Sequence, residues 1–173
     1  IPDVNILNIF KKHYFSFFLF FFIIIGGFLA LNTGITHDEQ HDLYVWQANQ
    51  NLILNKLFKT NNDVSYLMGG NIFYGSGFHY ISYLIEFFTL NFPLISEFDQ
   101  LTKLLLSKHL TVFLFFITSG IFIKKILRII TQNKFVSNFG AFFYLLYPYL
   151  LGHSFFNVKD IPFLSIWVIC SYY

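Results

Sequence analysis

From Tyr14 to Leu31 the chain reads YFSFFLFFFIIIGGFLAL, eighteen residues without a charge. A helix needs about 20 such residues to cross the hydrocarbon core of a bilayer, so this run fixes the solvent before anything else: part of the chain is built for lipid. Lys11 and Lys12 precede it, as they would in a secretory signal peptide. The run is longer than the usual signal core, however, and Asn32-Thr33-Gly34 is not a small-x-small cleavage site. We read it as a retained first span. Composition agrees, because with 55% hydrophobic residues, 12% charged residues and 26 Phe the chain has too few polar side chains to cover a water-soluble surface.

The formal charge of +2 is too small to argue for nucleic acid, and the eleven Lys and Arg are not gathered into a solvated arm. A single cysteine, Cys170 in an apolar run, permits neither a disulfide framework nor a cysteine zinc site within the chain. The chain opens on Ile and stops inside the apolar run 161–173, so we expect a fragment of something longer, inactive by itself.

Two further spans are expected at about 104–123 and 135–152, the latter ending in a Tyr144/Tyr147/Tyr149 cluster of the kind that sits at headgroup depth, and a fourth starts at 161. The fold class is thus all-α: a polytopic transmembrane helical bundle with amphipathic juxtamembrane helices in the first outer loop, over 36–95. Lys124, Lys125, Arg128 and Lys134 lie between the second and third spans, and the positive-inside rule puts that loop and the N-terminus in the cytoplasm. Segment 32–103, with three lysines against seven acids, belongs outside. The apolar stretch 78–95 would break this parity if it crossed. It carries His79, Ser82, Glu86 and Thr89 at i, i+3, i+7 and i+10, one face of a helix, with aromatic and aliphatic residues opposite. A carboxylate at mid-membrane costs several kcal/mol, so we place this helix along the outer surface or dipping in, where Glu86 can face water or the protein and solvent is the simpler account of His79 and Glu86.

Directly after the first span comes Gly34-Ile35-Thr36-His37-Asp38-Glu39-Gln40-His41-Asp42. Helix capping explains Thr36 and Glu39 as an S/T-x-x-E box, with Asp38 in the first turn where the helix dipole favours an anion. An apolar stripe through Leu43, Trp46, Ile53 and Leu57 then marks an amphipathic surface helix. Capping does not require Asp38, His41 and Asp42 together. His37 and His41 stand at i, i+4, as in the zinc-protease pattern H-E-x-x-H. Here the pattern reads H-D-E-Q-H, and a zinc-dependent membrane peptidase is one alternative function. A non-enzymatic transporter or assembly subunit is another, in which Asp38 and Asp160 belong to a polar pathway.

The second constellation, Gly152-His153-Ser154-Phe155-Phe156-Asn157-Val158-Lys159-Asp160-Ile161-Pro162-Phe163, links the third span to the fourth. Asp160 before Pro162 reads as a helix-start signal. With this topology, however, a carboxylate after the first span and a Lys-Asp pair before the fourth border one outward cavity, where ionisable residues are functional candidates.

These residues resemble the GT-C superfamily of polyprenyl-phosphate-sugar glycosyltransferases, in particular the bacterial relatives of the protein O-mannosyltransferases and of the lipid A aminoarabinose transferase. The resemblance covers nearly the whole chain. Its motifs are Thr36-His37-Asp38-Glu39 after the first span, Phe73-Tyr74-Gly75-Ser76-Gly77-Phe78-His79 ahead of an amphipathic helix, Lys108 with His109 at the outer start of the next span, and Asn157-Val158-Lys159-Asp160-Ile161-Pro162-Phe163. The last is similar to an N-P-K-D-x-P-F element, with Val158 in place of Pro; Gly75-Ser76 stands where the aminoarabinose branch has Lys-Pro.

The resemblance implies inverting transfer of a sugar from a polyprenyl-phosphate donor to an acceptor hydroxyl on a lipid, glycan or protein. The site would face the outside of a bacterial inner membrane. It implies Asp38 as general base, Asp160 placing the sugar or sharing that task, and Lys159 and Lys108 neutralising the departing phosphate. Glu39, His41, Asn157 and His79 complete the expected substrate-binding set. The scheme requires no cofactor or metal, although Asp38, His41 and Asp160 could hold a divalent ion.

Overall fold

The structure, a computed structural model, describes residues 6–73, 77–90 and 92–173. Tyr74, Gly75 and Ser76, the middle of the aromatic-glycine motif, lie outside the described residues. Among the described residues every regular element is helical: α1 (Ile6–Asn32), α2 (His37–Phe58), α3 (Gly77–Thr89), α4 (Gln100–Thr131), α5 (Lys134–Leu146), α6 (Pro148–His153) and α7 (Asp160–Tyr172), with short 3-10 turns at Gly69–Phe73 and Pro93–Ile95. The segments His13–Asn32 and Gln100–Thr131 are long and apolar enough to cross a membrane.

Helix α4 is the axle. It starts at Asp99, whose carboxylate accepts from the N–H groups of Leu101 (3.0 Å) and Thr102 (3.1 Å), satisfying donors that the first turn leaves orphaned. It then runs 32 residues, past the expected end near 123 and through the basic residues, to a left-handed cap at Gln132. Asn133 caps α5 in turn, its side chain accepting from Phe135 and Val136, so a two-residue connection folds α5 back along α4. Helices α1, α3, α5 and α7 all pack on α4.

Small residues set the closest approaches. A Cβ added at Gly120 would lie 2.5 Å from Leu145, and one at Gly26 would lie 2.0 Å from the ring of Phe113. Both neighbours are fully buried, and such small-residue seams let apolar helices meet where hydrophobicity alone supplies no drive.

The stretch 135–152 is not one helix. Tyr147 adopts extended backbone (φ −63°, ψ 116°) before Pro148, because the proline ring disfavours helical geometry in the residue ahead of it. The chain restarts as α6 with Pro148 at its first position.

The expected polar stripe of α3 exists, and of the two surroundings open to it, water and protein, it meets the protein. His79, Ser82, Glu86 and Thr89 are 6%, 0%, 1% and 4% exposed, whereas Tyr83, Leu84, Phe87 and Phe88 are 61–75% exposed. Solvent therefore does not explain His79 and Glu86; the polar face turns inward onto α4, where Lys108 meets Glu86 at 2.6 Å. The same inversion holds elsewhere. Phe20, Phe21, Ile25 and Phe28 of α1 and Phe135, Phe139 and Phe143 of α5 point outward, while Ser107, Lys108, His109, Thr111, Ser119 and Asn138 are buried.

Candidate functional site

The first corner of the site is the turn from α1 into α2. Glu39 Oε1 accepts from the Thr36 N–H (2.7 Å) and the Thr36 hydroxyl (2.8 Å), so the expected capping contact is present. Its other oxygen, Oε2, meets His109 Nε2 at 2.5 Å. His109 Nδ1 lies 3.2 Å from the Ala30 carbonyl, so one fully buried ring on α4 pins both the end of α1 and the start of α2. Asp38, beside Glu39 in the first turn, stays exposed at the positive end of the helix dipole. One turn later Asp42 points inward and is buried.

The second corner is organised by Asn157. Its Oδ1 accepts from the N–H groups of Lys159 (3.1 Å) and Asp160 (2.8 Å), while its Nδ2 donates to Asp160 Oδ2 (2.9 Å) and lies 3.1 Å from His153 Nδ1. Asparagine suits this place because its short amide offers an acceptor to the backbone two and three residues on and still has donors to spare. The result is a fixed Lys159-Asp160 step at the start of α7.

The two corners meet. Lys159 Nζ lies 2.8 Å from Asp42 Oδ1. Around this pair are two adjoining cavities that share Asp42, Val158, Lys159 and Asp160 in their walls. The smaller, about 190 Å³, is a charged pocket bounded also by Thr36, Asp38, Glu39, Phe156 and Asn157. The larger, about 590 Å³, is a mostly apolar trough between α2, α3, α4 and α7, walled by Trp46, Phe78, Phe115, Pro162, Phe163 and Ile166, with Asn49 and His79 among its polar members. An apolar trough opening onto a charged pocket is the shape an amphiphile with a polar head requires.

Behind the trough stands the seat of α3. Lys108 Nζ donates to Glu86 Oε1 (2.6 Å) and to Ser82 Oγ (3.1 Å), and Ser82 donates to Glu86 (2.9 Å). The same ammonium lies 4.8 Å from the Trp46 ring centre, and Trp46 stacks on His79 at 5.5 Å. Burial, followed by the positive charges of Lys108 and Lys159, pushes the His79 imidazole down to about 3. It is therefore a neutral ring at any physiological pH.

Of the residues singled out in the sequence, Asp38, Glu39, Asn157, Lys159 and Asp160 border the pocket, and His79 joins Lys159 and Asp160 in the trough. Two do not belong to either cavity. Lys108 is consumed by Glu86 beneath α3, so its expected part in neutralising phosphate is corrected to a part in seating a helix. His41 is turned toward the 59–73 loop, its Nδ1 3.2 Å from the Tyr66 hydroxyl. Glu39 does reach the pocket wall, but both its oxygens are spent on Thr36 and His109, which makes it a brace rather than a ligand contact. Among the described residues no three His, Cys, Asp or Glu side chains gather closely enough to hold a metal ion.

Asp42, Trp46 and Asn49 were given no place among the expected site residues in the sequence. Their i, i+4, i+7 spacing on α2 was the available signal, since it puts all three on the face that lines the trough. Compared with known family models, curated proteins and solved structures, the chain finds no match.

Proposed function

We propose that this chain forms part of a multi-spanning membrane glycosyltransferase that moves a sugar from a polyprenyl-phosphate donor to an acceptor hydroxyl on the outer face of a bacterial inner membrane. The membrane half of this reading is supported by the inverted polarity of the helices. In water, exposing the aromatic faces of α1, α3 and α5 while burying Glu86, Lys108 and His109 would be unfavourable on both counts. In hydrocarbon both choices become the stable ones. A polytopic bundle with α1, α4, the bent α5–α6 pair and α7 as membrane elements and α2 and α3 on the outer side follows from the charge pattern.

The observation that carries the enzymatic half is that Asp38 and Asp160, from distant parts of the chain, line one charged pocket with Lys159 in the same wall and an apolar trough beside it. The trough takes the isoprenoid, and the pocket takes the phosphate and sugar. The acceptor oxygen attacks the anomeric carbon from the face opposite the phosphate, and its proton passes to the exposed Asp38 carboxylate. The bond from anomeric carbon to phosphate oxygen breaks as the new carbon–oxygen bond forms, and the electron pair leaves on the phosphate beside the Lys159 ammonium. General-base help of this kind contributes about 10²–10⁴-fold, and a cation beside the leaving group stabilises charge as it develops.

The test is transfer by the full-length protein in reconstituted membranes. Asp38→Asn, which keeps shape and removes the base, inserts normally and loses nearly all turnover, on the order of 10²-fold or more, while Asp160→Asn is strongly impaired. Near-normal turnover by Asp38→Asn removes that residue from the base role.

A further inference from the structure

A further cavity shares no wall residue with the trough or the pocket. It is an apolar groove of about 640 Å³ between α1 and α5, walled by Phe18 on one side and by Phe139, Phe142, Phe143 and Leu146 on the other, and reaching Pro148. Residues 139–148 advance about 13 Å along the chain axis, close to half of the roughly 30 Å hydrocarbon core. The groove is therefore about one leaflet long.

One end of it is charged. Phe142 packs on Phe18 at 4.5 Å and on Phe15 at 5.4 Å between ring centres, and the Lys124 ammonium stands 3.8 Å over the Phe15 ring. A ring face attracts an ammonium but takes up none of its charge, and all three N–H donors remain to be offered to an anion. From 100 to 159 the chain contains no Asp or Glu, and among the described residues no carboxylate pairs with Lys124. Beside it, Tyr14 stacks on Phe142 at 6.1 Å, and its hydroxyl accepts from Asn138 Nδ2 at 2.6 Å, so its own proton is left to donate.

We propose that this groove binds an anionic phospholipid of the leaflet that the basic end of α4 faces: an acyl chain lies between α1 and α5, and the phosphate meets Lys124 at the groove's charged end. The site rests on the membrane half of the reading above and not on sugar transfer. Another helix laid in the groove would cover the rings, but it would need a carboxylate at the right height to meet the ammonium. A phospholipid supplies chain and anion in one molecule. A zwitterionic lipid fits the walls equally well, yet it brings a cation of its own to the basic end, so headgroup charge decides the preference.

The experiment is native mass spectrometry of the full-length protein released from detergent, titrated with dioleoyl phosphatidylglycerol or dioleoyl phosphatidylcholine. Wild type takes its first phosphatidylglycerol about fivefold more tightly than its first phosphatidylcholine, the factor expected of one cation near a lipid anion. Lys124→Gln brings that ratio below about twofold. Lys124→Arg keeps both the charge and the preference, which separates loss of the cation from loss of the fold. Lys125→Gln removes an equal charge from the side of α4 that faces Phe122 and Tyr172, and it leaves the ratio as in wild type. Leu146→Trp fills the groove and weakens both lipids alike. If Lys125→Gln lowers the ratio as far as Lys124→Gln does, the preference is a diffuse charge effect and the site is overturned. Unchanged lipid binding by Leu146→Trp overturns it too, since another part of the protein or a second copy then covers the groove. Equal uptake of the two lipids by a protein that still needs detergent sinks this site alone. A full-length protein that stays in solution without detergent and takes up neither lipid sinks the membrane reading, and the site with it.

Discussion

His79 stacks its ring on Trp46, and both its burial and the charges of Lys108 and Lys159 oppose protonation. Its proton affinity in the fold, about 3 against 6.5 for the free side chain, makes it a source of acid sensitivity. Between those values the unfolded chain binds a proton that the folded chain refuses, so stability falls as pH drops through this window and the contribution is complete only above 6.5. The slope from one such group is about 1.4 kcal/mol per pH unit, hence on the order of 2–3 kcal/mol between pH 6.5 and 4.5. Thermal melts of His79→Phe in nanodiscs across that range should run flatter than wild type by this amount. Parallel curves for the two proteins would assign the acid sensitivity to other groups. The sequence carried the identities of such residues but not their environments. His79 reads identically whether its helix face meets water or α4, and only the position of Lys108 across the interface decides which.

At the scale of elements, period and partner are separate pieces of information. The 3.6-residue spacing on α3 was legible, and so was the amphipathic face of α2. What the spacing does not contain is which face meets the protein, because that depends on what the exterior is made of. In water the apolar face goes inward. Here Tyr83, Leu84, Phe87 and Phe88 go outward, and a buried Lys108–Glu86 pair holds the polar face down. The break at Tyr147 was legible in principle, since Pro148 stands inside the apolar run, but hydropathy masks it: the residues on both sides are equally lipid-compatible. The inverted orientation of α3 has a direct consequence. A tryptophan placed at the exposed Phe87 should be quenched strongly by brominated acyl chains and weakly by iodide in the aqueous phase. Strong iodide quenching with little effect of bromolipid would mean that the helix stands in water, and that its apolar face needs a protein partner instead.

For the whole molecule, the decisive quantity is parity. The outer-loop helices, the pocket and the Lys159-Asp160 step form one site only if the turn before α2 and the turn before α7 lie on one side of the membrane, and the basic α4–α5 connection lies on the other. Three physical facts point the same way: Lys124, Lys125 and Arg128 crowd the last turns of α4, the acids crowd segment 32–103, and Lys159 pairs with Asp42 across the two corners. Helix α4 is long enough for that separation, because 32 residues at about 1.5 Å each exceed the roughly 30 Å of hydrocarbon. Single cysteines at Asp38, Asp99, Ile130 and Asp160, all exposed, can be read in a Cys170→Ser background of the full-length protein with a membrane-impermeant maleimide. Labelling from outside should reach 38, 99 and 160 in intact cells and reach 130 only after permeabilisation. If 38 and 160 respond from opposite faces, then no sugar can touch both carboxylates, and the pocket is an accident of packing rather than a site.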